Sequence, residues 1–231
     1  MDISLFTLES GAGEPLVLLH GNGESGDYFK HQIPAFAARS HVFAPDTRGH
    51  GQSPRGTAPF TLAQFADDLF SFFDEHGIDK AHLLGFSDGG NIALLFALRY
   101  PERVRSLILN GANLFPRGVR RRYQLPIELG YALTRLFARR SEEAQKHHEL
   151  LALMVNEPNI DPGSLAALTM PTLVVAGTHD MIAKVHTQLI ADSIPGAQLS
   201  FLPGDHFVAA KKPEMFNRTV LSFLDNIKAT E

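Results

Sequence analysis

Seven short apolar runs, separated by longer stretches whose apolar residues recur at helical spacing, constrain this chain more than any other feature. The runs fall at residues 3–8, 16–20, 42–44, 81–86, 104–110, 172–176 and 198–201. Most are nearly unbroken in hydrophobicity, as strands must be when helices cover both faces of a sheet. Helices are expected between them at about 28–38, 61–76, 89–100, 183–193 and 213–227. In the second of these, Leu62, Phe65, Ala66, Leu69, Phe72 and Phe73 form one apolar face, a core stripe. Strands alternating with crossover helices predict an α/β fold with a mostly parallel sheet of about seven strands flanked by helices.

The alternation breaks once, between about residues 113 and 170, where R-G-V-R-R-R-Y, R-L-F-A-R-R and K-H-H-E are interleaved with apolar residues. The pattern reads as several short helices and no strand, a helical lid over residues 114–167 inserted after the strand that ends near Asn110. Nothing in the remainder resembles a linker, so residues 1–231 are expected to form a single domain. The basic residues of the insertion, Arg117, Arg120, Arg121, Arg122, Arg139 and Arg140, read first as a solvated helix face and second as a means of recruiting an anionic substrate. His147 and His148 are adjacent and lack the i, i+4 spacing of a helical zinc pair, so no metal site is expected.

Composition narrows the partners. A net charge of −4 offers no general attraction to phosphate backbones, so nucleic acid is not an expected partner. With no cysteine, disulfides, thiolate nucleophiles and Cys-ligated zinc are ruled out. The first residues lack the basic start and apolar core of a signal peptide, and no run approaches the ~20 apolar residues of a membrane span. The expectation is a soluble cytoplasmic protein, monomer or homodimer, with a small-molecule substrate and no membrane partner.

Gly85-Phe86-Ser87-Asp88-Gly89 seats a serine between glycines where a predicted strand meets a predicted helix. A sharp strand-to-helix turn exposes the hydroxyl above the sheet edge, and only glycines on either side let neighbouring backbone approach. The helix that follows directs free N–H groups and its positive end at the same point, where developing negative charge is stabilised. A serine is a poor nucleophile at neutral pH unless a base and an acid that orients the base lie within reach. Asp180, in G-T-H-D beyond one strand, and His206, in L-P-G-D-H-F beyond the next, would emerge at the same carboxyl edge. Rival bases are His179 and His186, and rival acids are Asp205 and Asp161; Asp205 adjoins His206 and points away from it in extended chain. The turn His20-Gly21-Asn22-Gly23 can aim the Asn22 N–H at an oxyanion, with the Asp88 N–H as second donor. The Asn22 side chain is either a further donor or a brace for its loop.

Together these elements, in the chain order Ser, Asp, His, make the sequence similar to the α/β-hydrolase superfamily over essentially its whole length. Asp46-Thr47-Arg48-Gly49-His50-Gly51-Gln52-Ser53 resembles that superfamily's D-x-R-G-x-G-x-S segment, which is mainly architectural. S-D-G-G at the elbow and N-G-A-N at Asn110–Asn113 resemble the valacyclovir hydrolase (biphenyl hydrolase-like) group. That resemblance implies hydrolysis of esters, aminoacyl esters among them, with Asp88 contacting the substrate's amino group; the other reading of Asp88 is a carboxylate placed at a helix N-terminus. The chain departs from the group in its shorter, more basic insertion and in having room for only one strand before Leu16.

The expected function is therefore a cofactor-independent serine esterase for small to medium acyl groups, with Ser87 as nucleophile, His206 as base and Asp180 as orienting acid. Phe86, Phe115 and Phe207 are candidates to line the acyl pocket, unless core packing claims them. The same scaffold also hosts aminopeptidases, thioesterases, C–C bond hydrolases and cofactor-free peroxidases, and a ligand sensor would retain the same three residues.

Overall fold

The computed structural model describes residues 2–228, so the outermost positions of the expected 1–231 domain lie outside the described residues. Seven strands, β1 (Thr7–Ser10), β2 (Pro15–Leu19), β3 (His41–Pro45), β4 (Ala81–Phe86), β5 (Val104–Asn110), β6 (Thr172–Gly177) and β7 (Gln198–Leu202), form one sheet in the order β1-β3-β2-β4-β5-β6-β7. Only β1 runs antiparallel, pairing with β3 at the edge; the other pairings are parallel. Every residue of β4 and β6 is buried, which explains their unbroken apolar runs.

Helices α2 (Leu62–Glu75), α3 (Asp88–Arg99) and α6 (Lys184–Ser193) contribute to one core cluster together with residues of β2, β4 and β5. The apolar stripe of α2 is buried there as expected, and the Thr61 hydroxyl caps that helix by accepting from the Gln64 N–H. Helices α1 (Ile33–Ala37) and α8 (Pro213–Lys228) pack in a second cluster with Leu16, Leu18, Leu84 and Ile108, residues that alternate with the first cluster's along the same strands.

Two elements differ from their sequence expectation. The first strand is shifted from 3–8 to Thr7–Ser10: beyond the Thr7–Pro45 pair the Asp46 N–H still donates to the Phe6 carbonyl at 2.8 Å, but the Phe6 N–H turns to Ser53 Oγ at 2.9 Å and ends the ladder, and Leu5 is buried in the core outside it. The helix expected at 28–38 is split into a short 3-10 turn (Gly26–Phe29) and α1, since Pro34 is tolerated only in a helix's first turn and so sets where α1 begins. A further short helix, α7 (Val208–Lys211), was not anticipated.

The D-x-R-G-x-G-x-S segment ties loops to the sheet. Arg48 is completely buried and grips Asp68 with two hydrogen bonds of 2.7 Å, while Asp46 accepts from the N–H groups of Gly26 and Gln52 at 2.7 Å. Between β5 and β6 lie helices α4 (Arg121–Thr134) and α5 (Glu142–Asn156) with short 3-10 turns around them. Among the described residues no helix is long and apolar enough to cross a membrane.

Candidate active site

Strand β4 ends at Phe86 and α3 begins at Asp88, so Ser87 alone makes the turn. It does so at φ 53° and ψ −119°, the one non-glycine with positive φ among the described residues. A conformation of this kind costs roughly 1–3 kcal/mol and persists only where the surroundings over-determine it. Here the Ser87 N–H donates to the Asn110 carbonyl at 2.8 Å, and the Ser87 carbonyl accepts from the Gly90 and Asn91 N–H groups. The flanking glycines are required sterically: a Cβ on Gly89 would collide with the Leu19 carbonyl, and one on Gly85 with the Gly89 carbonyl.

His206 Nε2 lies 3.0 Å from Ser87 Oγ, and His206 Nδ1 lies 2.7 Å from Asp180 Oδ1. A carboxylate only accepts, so Nδ1 carries the proton and the Nε2 lone pair faces the serine hydroxyl. Asp180 is itself held, accepting from the Ile182 N–H at 2.9 Å and the Gly177 N–H at 3.3 Å. Asp180 and His206 are both buried, whereas the rivals are engaged elsewhere. His179 is exposed and bonds Thr178; the His186 Nε2 accepts from the Leu114 N–H at 2.9 Å, and burial pushes that imidazole down to about 4. Asp205 pairs with Lys211 and Asp161 caps a short turn through the Gly163 N–H.

The loop after β2 and the first residue of α3 come together beside this relay. Among the described residues neither the Asn22 nor the Asp88 backbone N–H has a protein acceptor. The Asn22 side chain braces its loop: its Nδ2 donates to Asp88 Oδ2 at 2.9 Å and to the Leu150 carbonyl of α5 at 3.1 Å. His20 supports the same loop, donating from Nδ1 to the Gly21 carbonyl at 2.8 Å while Nε2 accepts from the Thr47 N–H. Burial lowers the His20 imidazole to about 4, which keeps it neutral in this role.

An enclosed cavity of about 20 Å³, room for roughly one water, opens onto Ser87 and is bordered by Asp88, Asn113, Gln124, Met154 and Glu157. No lysine or arginine lines it. Burial raises both Asp88 and Glu157 above the usual carboxylate range, and the negative charge of Asp88 raises Glu157 further. Donors from Asn22 and Asn91 offset the effect at Asp88, and the Leu62 N–H does so at Glu157. Glu157 escaped the sequence reading because it belongs to no motif and reaches the elbow only through the packing of the β5–β6 segment. The three candidate phenylalanines stand apart from this cavity. Phe86 is buried and stacks on Tyr28 with ring centroids 4.3 Å apart, Phe115 packs edge-on against His186, and Phe207 is exposed beside His206. Core packing accounts for Phe86, whose strand position points it to the face away from α3. Among the described residues no three His, Asp or Glu side chains converge to hold a metal.

Glu24 is a further group beside the site that sequence reading passed over. Burial raises its carboxyl to about 7, against pulls in the other direction from the Gly21 N–H and His206, and its Oε2 is enclosed without a partner. Because the folded state holds this proton more tightly than the unfolded chain, stability falls as pH rises from about 4.5 through 7. Glu24→Gln is therefore expected to raise the Tm relative to wild type at pH 8 and to change it little at pH 5; an equal offset at both pH values would contradict the assignment.

Comparison with known proteins agrees with this architecture. The family model described as alpha/beta hydrolase fold matches residues 14–154. A protein of Azorhizobium caulinodans named for carbamate hydrolysis, RutD, is 32% identical, covering 98% of this chain and 97% of its own. The 2-hydroxymuconate semialdehyde hydrolase of Pseudomonas putida is 29% identical over 94% of this chain and 89% of its own. Among solved structures, Est816, described as an N-acyl homoserine lactone degrading enzyme, superposes with a TM-score of 0.77 at 26% identity, covering 96% of this chain and 97% of its own. The strained elbow, the seven-stranded sheet and a match over more than half the chain lead to one conclusion: the protein belongs to the α/β-hydrolase family and is a hydrolase.

Proposed function

We propose that this hydrolase cleaves carboxylic esters of small to medium acyl groups, aminoacyl esters among them, through an acyl-enzyme on Ser87. The observation that carries the reading is the unbroken relay from Ser87 Oγ through His206 to Asp180, set beside two backbone N–H groups that have no acceptor among the described residues. His206 Nε2 takes the hydroxyl proton as Oγ attacks the carbonyl carbon, and Asp180 steadies the imidazolium that forms. The tetrahedral oxyanion is received by the Asn22 and Asp88 N–H groups, each donor worth roughly 2.7–4 kcal/mol in the transition state. The proton then passes to the departing alkoxide, and His206 activates a water that releases the acid. None of these steps asks for a metal or an organic cofactor.

Chemistry at the cavity supports the amino group. A carboxylate has about four acceptor positions, and Asn22 and Asn91 occupy only two on Asp88. With Glu157 across the same cavity and no cationic side chain among the residues lining it, a protonated amine supplies the charge that offsets the burial penalty on both carboxyls and holds them ionised, and an acyl group with its own negative charge is opposed. The lactone-degrading activity for which Est816 is described supports the ester bond, since a lactone is a cyclic ester. Carbamate cleavage, for which RutD is named, is also acyl transfer at a carbonyl carbon, so an aryl carbamate belongs in the test.

The test is a set of initial rates on p-nitrophenyl esters of graded chain length, aminoacyl esters and an aryl carbamate. Short-chain and aminoacyl esters are expected to turn over fastest. Asp88→Asn should cut kcat/KM for aminoacyl esters by about 100-fold, the scale of a lost charged partner, and leave simple esters nearly unchanged. A uniform loss across all esters would make Asp88 only a brace for the Asn22 loop, and a preference for the carbamate would replace the ester reading.

A further inference from the structure

We propose that helix α4 docks this protein onto anionic lipid surfaces, through a leucine stripe bordered by arginines. Leu125, Leu129 and Leu133 recur every four residues along α4, and Leu136 in the next turn falls on the same side, so the four share one face. All four are exposed, Leu129 at 58%, Leu133 at 61% and Leu136 at 71%. Phe137 continues the four-residue spacing beyond Leu133, and with Tyr123, which lies on another side of α4, these residues make up most of the large apolar side chains the described surface exposes. An exposed leucine scattered singly needs no explanation, but a continuous row on one helix does. The helix is otherwise lightly seated, burying only Gln124.

Charge identifies the occupant. Residues 117–140 hold seven arginines and a single acidic residue, Glu128, in a chain whose net charge is −4. Only Arg121 has an ion-pair partner among the described residues, namely Glu128. At helical spacing, Arg121 precedes Leu125 by four residues and Arg122 precedes Leu129 by seven, so both stand at the N-terminal end of the leucine row, and Arg135 falls to one side of it, where their stems can lie along apolar surface while the guanidinium groups reach outward. Leucines on one face with arginines at its end and along one side match a bilayer interface, in which acyl chains meet the leucines and phosphates meet the guanidinium groups. A second copy of the chain is the poorer occupant: arginines stand at both ends of the leucine row, so a two-fold axis through it would set arginine-bearing ends of the two copies against each other, with only Glu128 to offset them. The absence of a spanning helix does not bear on this mode of contact, which lies in the plane of the interface.

The experiment is co-sedimentation of the full chain with phosphatidylglycerol vesicles and, separately, phosphatidylcholine vesicles, alongside sedimentation equilibrium without lipid. The protein is expected to pellet with phosphatidylglycerol, to bind phosphatidylcholine at least about tenfold more weakly, and to lose phosphatidylglycerol binding as salt rises. Leu129→Ser with Leu133→Ser, and separately Arg122→Glu with Arg135→Glu, should each lower the bound fraction at least about tenfold while soluble-ester turnover stays unchanged, which shows the variants are folded. No pelleting with phosphatidylglycerol, equal binding to both lipids, or binding indifferent to these substitutions overturns the proposal. So does a dimer in solution that the leucine substitutions dissolve, which assigns the face to a second copy.

Discussion

Ser87→Ala is expected to lower kcat on its best ester by about 10⁶-fold, the scale seen when the nucleophile of such a relay is removed. The loss should be in kcat, with the protein folded and its KM for the residual reaction little changed. The same position offers an internal control through its backbone. Ser87 sits at φ 53°, where alanine is strained as serine is and glycine is not. Ser87→Gly should therefore be as inactive as Ser87→Ala yet more stable by about 1 kcal/mol in denaturant unfolding. An inactive but more stable glycine variant would show that the turn holds strain for the sake of the hydroxyl. A glycine variant no more stable than alanine would mean that the surroundings have relaxed the turn.

Asp180→Asn carries the second largest effect, a fall in kcat of about 10⁴-fold. The cause is the tautomer. Asp180 Oδ1 accepts from both His206 Nδ1–H and the Ile182 N–H, and Oδ2 accepts from the Gly177 N–H, so either orientation of an amide sets its NH₂ against a backbone donor and removes the charge that steadies the imidazolium; in the orientation with NH₂ toward Nδ1 the imidazole proton is forced onto Nε2. Nε2 then faces Ser87 Oγ as a donor and has no lone pair to accept the hydroxyl proton. Asp180→Ala should cost a similar factor by a different route, leaving His206 free to rotate. Asp205→Asn, beside His206 in the chain but paired with Lys211, should leave kcat within about twofold. If Asp205→Asn were the more damaging of the two, the orienting acid would have been misassigned.

Sequence alone carried the sheet and the elbow far, because each strand buried on both faces must be apolar throughout. Residues 81–86 and 104–110 were bounded as the structure bounds them for that reason. The edge strand is less legible: Ile3 and Leu5 look like strand residues, but the Phe6 N–H is taken by Ser53 Oγ from a distant loop, and that ends the ladder at Thr7. Residues 28–38 read as one helix because their apolar pattern is continuous, whereas Pro34 interrupts the hydrogen bonding. At the site, the residues within motifs could be named in advance, whereas Glu24 and Glu157 could not. Their carboxyls matter because of what encloses them, and enclosure is a property of packing between distant segments. The leucines of α4 illustrate the same limit from the other side. Spacing shows that Leu125, Leu129 and Leu133 share a face, but only the fold shows that this face is bare.

The most direct test of the acyl-enzyme account is rapid acid quenching of the protein with p-nitrophenyl butyrate in the first turnover, followed by intact mass and peptide mapping. The account predicts a butyryl adduct on the peptide containing Ser87, formed in a burst with p-nitrophenolate and absent from Ser87→Ala. Steady turnover with no adduct at Ser87, or turnover that survives in Ser87→Ala, would contradict it.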